Sequence, residues 1–176
     1  MTAWKGLGPA FVLLMAAPAL AQTDPASVAD GFLGVYGSFR PPGGIPDAAG
    51  RARLAPYLSP RLNKMLADGA AAQARFAAKV KGAPPLIEGD LFSSMFEGAT
   101  NWKLGACTAS GAAASCPVAF SHVQKGHPPV NWTDTLLLAM TPQGWRIDDI
   151  GYGGGFQFGN TGKLSDTLKL VLSQAP

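Results

Sequence analysis

The fold of this chain is organised around one stretch of sequence, Trp132-Thr-Asp-Thr-Leu-Leu-Leu-Ala-Met-Thr-Pro-Gln-Gly-Trp-Arg-Ile-Asp-Asp-Ile-Gly-Tyr152. Two runs rich in β-forming residues flank the connector from Thr141 to Gly144, and a short Pro/Gly connector between such runs predicts an antiparallel hairpin. The consecutive leucines from Leu136 to Leu138 break the alternation of a half-exposed strand. They predict that the first run is a central strand covered on both faces.

Helices are predicted mainly before this hairpin. Asp24-Pro25 and Ser59-Pro60 each place a capping side chain before a proline, which is typical of a helix start. Further helices are expected over 48–57 and 164–172, and strands over 101–107, 117–123, 132–140 and 145–152. Helices followed by a meander of strands predict an α+β fold, with the N-terminal helices packed on one face of a curved antiparallel sheet and a short C-terminal helix.

The first helix carries glycine at every third position, at Gly31, Gly34 and Gly37. Each glycine costs a helix about 1 kcal/mol relative to alanine, which calls for a compensating gain. We expect that another backbone approaches the helix closely along this stripe.

The N-terminal 21 residues have the features of a cleavable signal peptide. Lys5 precedes an apolar stretch, and Ala19-Leu-Ala21 fits the small-x-small cleavage pattern. The 16 residues between Lys5 and Gln22 fall short of the roughly 20 that a membrane span needs. We therefore expect a signal peptide at 1–21, a single α+β domain at 22–176, a periplasmic or secreted location and no stable membrane insertion after cleavage.

Charge argues against a nucleic-acid partner. The formal net charge is +3, and loss of the leader removes Lys5 and leaves +2, without a basic block. Nucleic-acid binding surfaces cluster Lys and Arg on one face.

The two cysteines are expected to form a disulfide. Cys107 and Cys116 flank an eight-residue segment of Ala, Ser, Thr and Gly in a chain predicted to reach an oxidising compartment. A direct cross-strand bridge would set Trp102 opposite Ser121 and mismatch the apolar faces. A bulge at Gly105, or a bridge beyond the paired residues, would remove that conflict, whereas two free thiols remain the alternative.

Several segments resemble a known superfamily. The order of helices and strands, with Gly144-Trp-Arg-Ile-Asp-Asp-Ile150 on the last hairpin, resembles the nuclear-transport-factor-2-like proteins, which share a cystatin-like α+β cone. Leu58-Ser-Pro-Arg-Leu62, Gly89-Asp-Leu-Phe92 and Phe96-Glu-Gly98 are similar to small exported bacterial proteins near the domain-of-unknown-function family 3828. The resemblance implies the cone fold and transfers no catalytic residue, because the superfamily includes enzymes, ligand binders and dimerisation modules.

Parity along the strands suggests one acid/base site. His122, Asp134 and Asp149 would converge in the cone if their strand faces coincide, and burial would then shift their pKa values. A switch of apolar parity between Ile147 and Ile150 predicts a bulge at Asp148-Asp149, which would turn one of these side chains outward.

No cofactor or metal is expected. The glycine-rich segment Gly151 to Gly162 lacks the spacing and the Ser or Thr of a phosphate loop. We interpret it as a bent strand exit, with Phe156 and Phe158 folded back on the sheet. His122 and His127 are the only histidines and do not form a typical metal-ligand set.

Three functions stay open from the sequence. The leading hypothesis is a non-catalytic module that binds a small molecule or a periplasmic protein through Trp132, Tyr152 and Phe156 at the open end of the cone. The alternatives are a lyase or isomerase that uses His122 and Asp149, and an inhibitor or immunity protein that blocks a cell-wall hydrolase with the loop His127 to Asn131. A homodimer formed through the sheet is also left open.

Overall fold

The computed structural model describes residues 24–39 and 43–174, so the predicted signal peptide lies outside the described residues. The helices are α1 (Pro25–Tyr36), α2 (Ala48–Leu54), α3 (Pro60–Lys79) and α4 (Leu164–Gln174), with a 3-10 turn at Ala55–Tyr57. The strands are β1 (Asn101–Leu104), β2 (Thr108–Ser110), β3 (Ala113–His122), β4 (Val130–Thr141) and β5 (Gly144–Gly151). The predicted α+β class is confirmed.

The predicted caps begin the long helices. The Asp24 side chain accepts a hydrogen bond from the Ala26 N–H, and the Ser59 hydroxyl accepts one from the Leu62 N–H at 3.0 Å. Each satisfies a backbone donor that the helix itself leaves unpaired, which stabilises a helix by about 1 kcal/mol.

The glycines along α1 leave space for aromatic side chains and not for another backbone. A Cβ on Gly31 would lie 2.3 Å from the Tyr57 ring, and one on Gly37 would lie 2.2 Å from Trp102. Gly34 has nothing within 4 Å of that position. The expectation of a close backbone approach was therefore wrong, because the space left by the two outer glycines is filled by rings.

All strand pairings are antiparallel, in the order β1-β3-β4-β5, with β2 also paired to β3. The helices lie against one face, where α1 contacts β1, β3 and β5, and α3 and α4 contact β5. Apolar side chains on that face are buried, namely Val118, Phe120, Leu136, Leu138, Ile147 and Ile150. On the other face Ala119 and Thr133 are exposed.

β4 is an interior strand, as predicted, but only one of its faces is fully covered. Leu136 and Leu138 are buried beneath the helices, whereas Leu137 is half-buried on the other face. The expectation of cover on both faces was therefore wrong for Leu137. The run of leucines reflects one buried face together with a partly shielded one.

The predicted bulge occurs in β5. Leu137 pairs with Asp149 and Leu138 pairs with Ile147, so Asp148 is the extra residue. Its carboxylate accepts hydrogen bonds from Ser59 at 2.6 Å and from Arg61 at 2.8 Å. Asp149, which is buried, accepts from the Ser165 N–H at 2.9 Å. The bulge thus joins the starts of α3 and α4 to the edge of the sheet.

Cys107 and Cys116 form a disulfide, with their Cα atoms 4.2 Å apart. Trp102 pairs with Phe120, and farther along the strand Thr108 pairs with Ser115. From Trp102 to Thr108 the chain advances by six residues, whereas the paired strand advances by only five from Ser115 to Phe120. One extra residue therefore lies in the segment from Gly105 to Cys107 and forms a bulge. That bulge removes the mismatch of apolar faces and allows the direct cross-strand bridge.

Candidate functional site

Two loops lie together at one end of the sheet. The first, residues 86–100, is the later part of the connection from α3 to β1, and the second, residues 152–163, links β5 to α4. The segment from Asp90 to Gly98 has no regular secondary structure. We refer to these two loops as the loop layer.

Asp134 on β4 binds both loops of the loop layer through its carboxylate. Its side chain is 1% exposed and accepts hydrogen bonds from the Ser94 N–H at 2.8 Å, the Gly153 N–H at 2.8 Å and the Trp132 indole N–H at 3.0 Å. The Ser94 hydroxyl donates to the same carboxylate. A buried carboxylate with four donors is satisfied within the protein, so its role here is to position both loops.

Asn160 joins the two loops to each other. Its amide donates to the Asp90 carbonyl at 2.6 Å and to the Ser93 carbonyl at 2.7 Å. The Asn160 N–H donates to the Ser94 carbonyl at 2.9 Å, and the Ser94 hydroxyl accepts from the Gly154 N–H. These bonds replace a strand ladder, because neither loop has regular secondary structure to satisfy its backbone.

Asp90 and Tyr36 form a buried pair beneath the first loop. The Tyr36 hydroxyl donates to the Asp90 carboxylate, which also accepts the Phe92 N–H at 2.7 Å. Burial raises the pKa of Asp90, although these hydrogen bonds favour its ionised form. Burial, with the nearby Asp90 charge, also raises the pKa of Tyr36.

The loop layer carries an open groove of about 490 Å³. It is lined by Glu88, Met95, Phe96, Glu97, Phe156, Gln157, Phe158 and Gly159. We call it the aromatic groove, because three of its residues are phenylalanines. Phe158 is 80% exposed and Phe96 is 41% exposed.

Glycines and Trp132 fix two of the three rings. Gly89 has a φ of +71°, and a Cβ there would lie 2.6 Å from the Phe96 ring. The Phe156 ring packs on Gly154 and meets Trp132 edge-on, with 5.4 Å between ring centroids. The groove therefore has a preformed floor, while Phe158 stands out from it.

Of the three predicted binding residues, only Phe156 lines the groove. Trp132 is 8% exposed and stacks on Phe120 beneath Phe156. The half-buried Tyr152 donates its hydroxyl to the Leu91 carbonyl at 2.6 Å, and burial raises its pKa. Trp132 and Tyr152 support the loop layer rather than offer free contact area. Phe158, expected to fold back on the sheet, is instead exposed to solvent.

The three residues of the acid/base hypothesis lie apart. His122 pairs with Val130 and Asp149 pairs with Leu137, seven positions along β4, which is roughly 23 Å at the usual rise per residue. The His122 ring nitrogen lies 2.7 Å from the Gly98 carbonyl. A small substrate would not contact His122 and Asp149 together.

Sequence reasoning missed most of the residues that build this site. Asp90, Ser93, Ser94 and Asn160 follow no strand or helix period, because they bond to irregular backbone. The available signal was chemical: Ser93-Ser94 interrupts the apolar run from Leu91 to Phe96, and Gly89 and Gly98 bracket it. Polar residues in such a run require buried partners.

A second cavity of about 490 Å³ is lined by Tyr36, Phe39, Ile45, Asp47, Asp90 and neighbouring residues. Its two carboxylates already have partners within the protein, since Asp47 caps α2 at the Gly50 N–H and Asp90 binds Tyr36. The lining also flanks residues 40–42, which lie outside the described residues. The aromatic groove is the better candidate, because its rings and carboxylates face solvent.

Across residues 24–39 and 43–174, no helix combines the length and the apolar character needed to cross a membrane. In the same part of the chain, no three His, Cys, Asp or Glu residues are grouped so that they could hold a metal ion. The loop from His127 to Asn131 is exposed throughout. Comparisons with protein-family models, with curated proteins and with solved structures found no match.

Proposed function

We propose that the protein is an exported, non-catalytic binding module that takes an apolar group of its partner into the aromatic groove. The observation that carries the proposal is the exposure of Phe158 and Phe96 beside a ring floor that is already in place. Exposed apolar patches of this kind mark binding surfaces more often than scattered single residues do. Because the floor is preformed, little ordering entropy is lost when a partner binds.

Membership of the nuclear-transport-factor-2-like superfamily is part of the proposal. The succession of N-terminal helices and an antiparallel sheet supports it. Export is supported by the leader sequence and by the Cys107–Cys116 disulfide, which is compatible with an oxidising location. N-terminal sequencing of the protein recovered outside the cytoplasm is expected to begin at Gln22, and an intact leader would contradict export by cleavage.

The binding test uses random peptides displayed on phage and selected on the immobilised mature protein. Peptides with an aromatic or large aliphatic residue are expected to be enriched, and synthetic copies are expected to change the tryptophan emission, since Trp132 contacts Phe156. Phe158→Ala is expected to lose the binding without unfolding, because Phe158 is mostly exposed.

Val123→Ala is the matched control, since Val123 is an exposed apolar residue in the β3–β4 connection and outside the groove. It is expected to bind the selected peptides as the wild type does. Selected peptides that bind the Phe158→Ala variant as tightly as the wild type would place the binding surface elsewhere, and a selection that enriches no peptide would contradict the proposal.

A further inference from the structure

The charges of the aromatic groove are opposite to the charge of the whole chain. Lys and Arg total 14 against 11 Asp and Glu. The sequence nevertheless contains only two glutamates, Glu88 and Glu97, and both line this groove. No Lys or Arg is among the residues that line it. The groove therefore combines apolar rings with a locally negative rim.

Neither glutamate is neutralised by a neighbour within residues 24–39 and 43–174. Two carboxylates elsewhere in that part of the chain do have cationic partners: Asp68 binds Lys64 at 2.6 Å and Asp166 binds Lys169 at 3.0 Å. Glu88 and Glu97 make no such ion pair among the described residues, and both are exposed. Their charges remain available to a partner.

We propose that the partner is a protein segment that carries an aromatic or large aliphatic side chain next to Lys or Arg. This inference rests on the proposed function. The apolar side chain would pack against Phe96 and Phe156. The adjacent cation would pair with Glu88 or Glu97, and it would also lie within reach of the exposed ring of Phe158, which attracts cations over its face. The complementarity is thus both apolar and electrostatic.

The exposure of Phe158 favours a protein segment over a small ligand. A small-molecule site usually encloses most of its ligand in a concave pocket. Phe158, at 80% exposure, projects from the groove, and a partner must extend beyond the groove to cover it. Aromatic side chains of this kind often provide the dominant contacts of protein interfaces.

The experiment compares three blocked peptides on the mature protein: Gly-Lys-Phe-Lys-Gly, Gly-Glu-Phe-Glu-Gly and Gly-Lys-Ala-Lys-Gly. Affinity is measured by tryptophan emission and by calorimetry at low and at high salt. The Lys-Phe-Lys peptide is expected to bind roughly fivefold more tightly than the Glu-Phe-Glu peptide at low salt, from two solvent-exposed ion pairs of modest strength. Salt is expected to reduce that preference, because exposed charges are screened.

Variants separate the inference from the function it rests on. Glu88→Gln with Glu97→Gln is expected to abolish the charge preference and keep the binding of the Phe peptides. Asp30→Asn, which removes an exposed carboxylate outside the groove, is expected to keep the preference. Phe158→Ala is expected to abolish the binding of both Phe peptides.

The outcomes are distinguishable. Phe peptides that bind equally well with either charge, or better with Glu, would overturn the inference and leave the groove as an apolar site. Equal binding of the Phe and Ala peptides, or no binding of any peptide, would overturn the proposed function as well. Phenethylammonium that binds more tightly than the Lys-Phe-Lys peptide would overturn the protein segment in favour of a small cationic ligand.

Discussion

The helix-covered sheet and the loop layer are held together by different forces. Beneath the helices, the interior consists of apolar side chains such as Leu62, Leu136 and Ile147, whose burial needs no directional partner. In the loop layer, hydrogen bonds of Ser94 to Asp134 of β4, and of Asn160 to the backbone of the other loop, take the place of a strand ladder. The surface proposed for binding therefore depends on a few hydrogen bonds, whereas the scaffold depends on summed apolar area.

The largest expected effect on the loop layer is that of Asp134→Ala. This change would leave the donors of Ser94, Trp132 and Gly153 without their acceptor, and we expect the free energy of unfolding to fall by about 3 kcal/mol or more. Urea unfolding monitored by circular dichroism measures the loss. Peptide binding is expected to vanish under conditions where the protein is still folded.

Asp148→Ala is the matched control for that change. Asp148 is half-buried at the β5 bulge and pairs with the partly exposed Arg61, and such a pair contributes about 1 kcal/mol or less. The comparison between the two regions fails if the two alanine variants lose equal stability.

Disulfide removal is expected to have the next largest effect. The paired cysteines are separated by 9 positions, and closure of so short a loop stabilises the fold by about 2 to 3 kcal/mol. Cys107→Ala with Cys116→Ala is expected to lower the free energy of unfolding by that amount and to leave peptide binding intact, because the bridge belongs to the sheet and not to the loop layer. Loss of binding in this folded variant would show that the two regions are coupled.

The sequence predicted the first of these regions far better than the second. Caps at Asp24 and Ser59, the hairpin around Pro142 and the bulge at Asp148 all follow from local propensity or from the period of apolar residues. Strand lengths were less accurate: β3 begins at Ala113, four residues before the predicted start, and β2 was not predicted, because short alanine and serine segments have weak strand propensity.

The candidate site could be predicted only in part. Phe156 was identified from its aromatic character, and the fold brings it to the groove. The groove also depends on Asn160, which bonds to backbone carbonyls 67 and 70 residues away in the chain. Contacts between residues so far apart in the chain leave no periodic pattern in the sequence. For the same reason parity alone grouped His122 with Asp149, since parity fixes a face and not a position along a strand.

Asp90 and Asp148 are expected to make the free energy of unfolding depend on pH in opposite directions. Each effect is expected to be smaller than those of the substitutions above. Burial raises the pKa of Asp90 in the loop layer. The native state therefore binds more protons than the unfolded state between about pH 4 and the native pKa of Asp90, and this contribution to stability is lost as pH rises through that pKa.

Asp148 behaves in the opposite sense. Burial alone would raise its pKa, but hydrogen bonds from Arg61 and Ser59 and the charge of Arg61 outweigh burial and lower it. Its contribution is present above about pH 4 and is lost as pH falls through the native pKa. Urea unfolding at a series of pH values would measure both, with Asp90→Asn removing the first dependence and Asp148→Asn removing the second. Matching slopes in wild type and variant would contradict the assignment for that residue.

The smallest expected effect on stability is that of substituting Phe158. Phe158→Ala is expected to change the free energy of unfolding by less than about 0.5 kcal/mol, as surface substitutions usually do. Phe32→Ala, the same change at a ring of α1 buried in the core, is expected to cost about 3 to 5 kcal/mol. Thermal and urea unfolding of both variants give these differences. If Phe158→Ala lost more than about 1 kcal/mol, the ring would be contributing to the fold, and its exposure could no longer be attributed to binding.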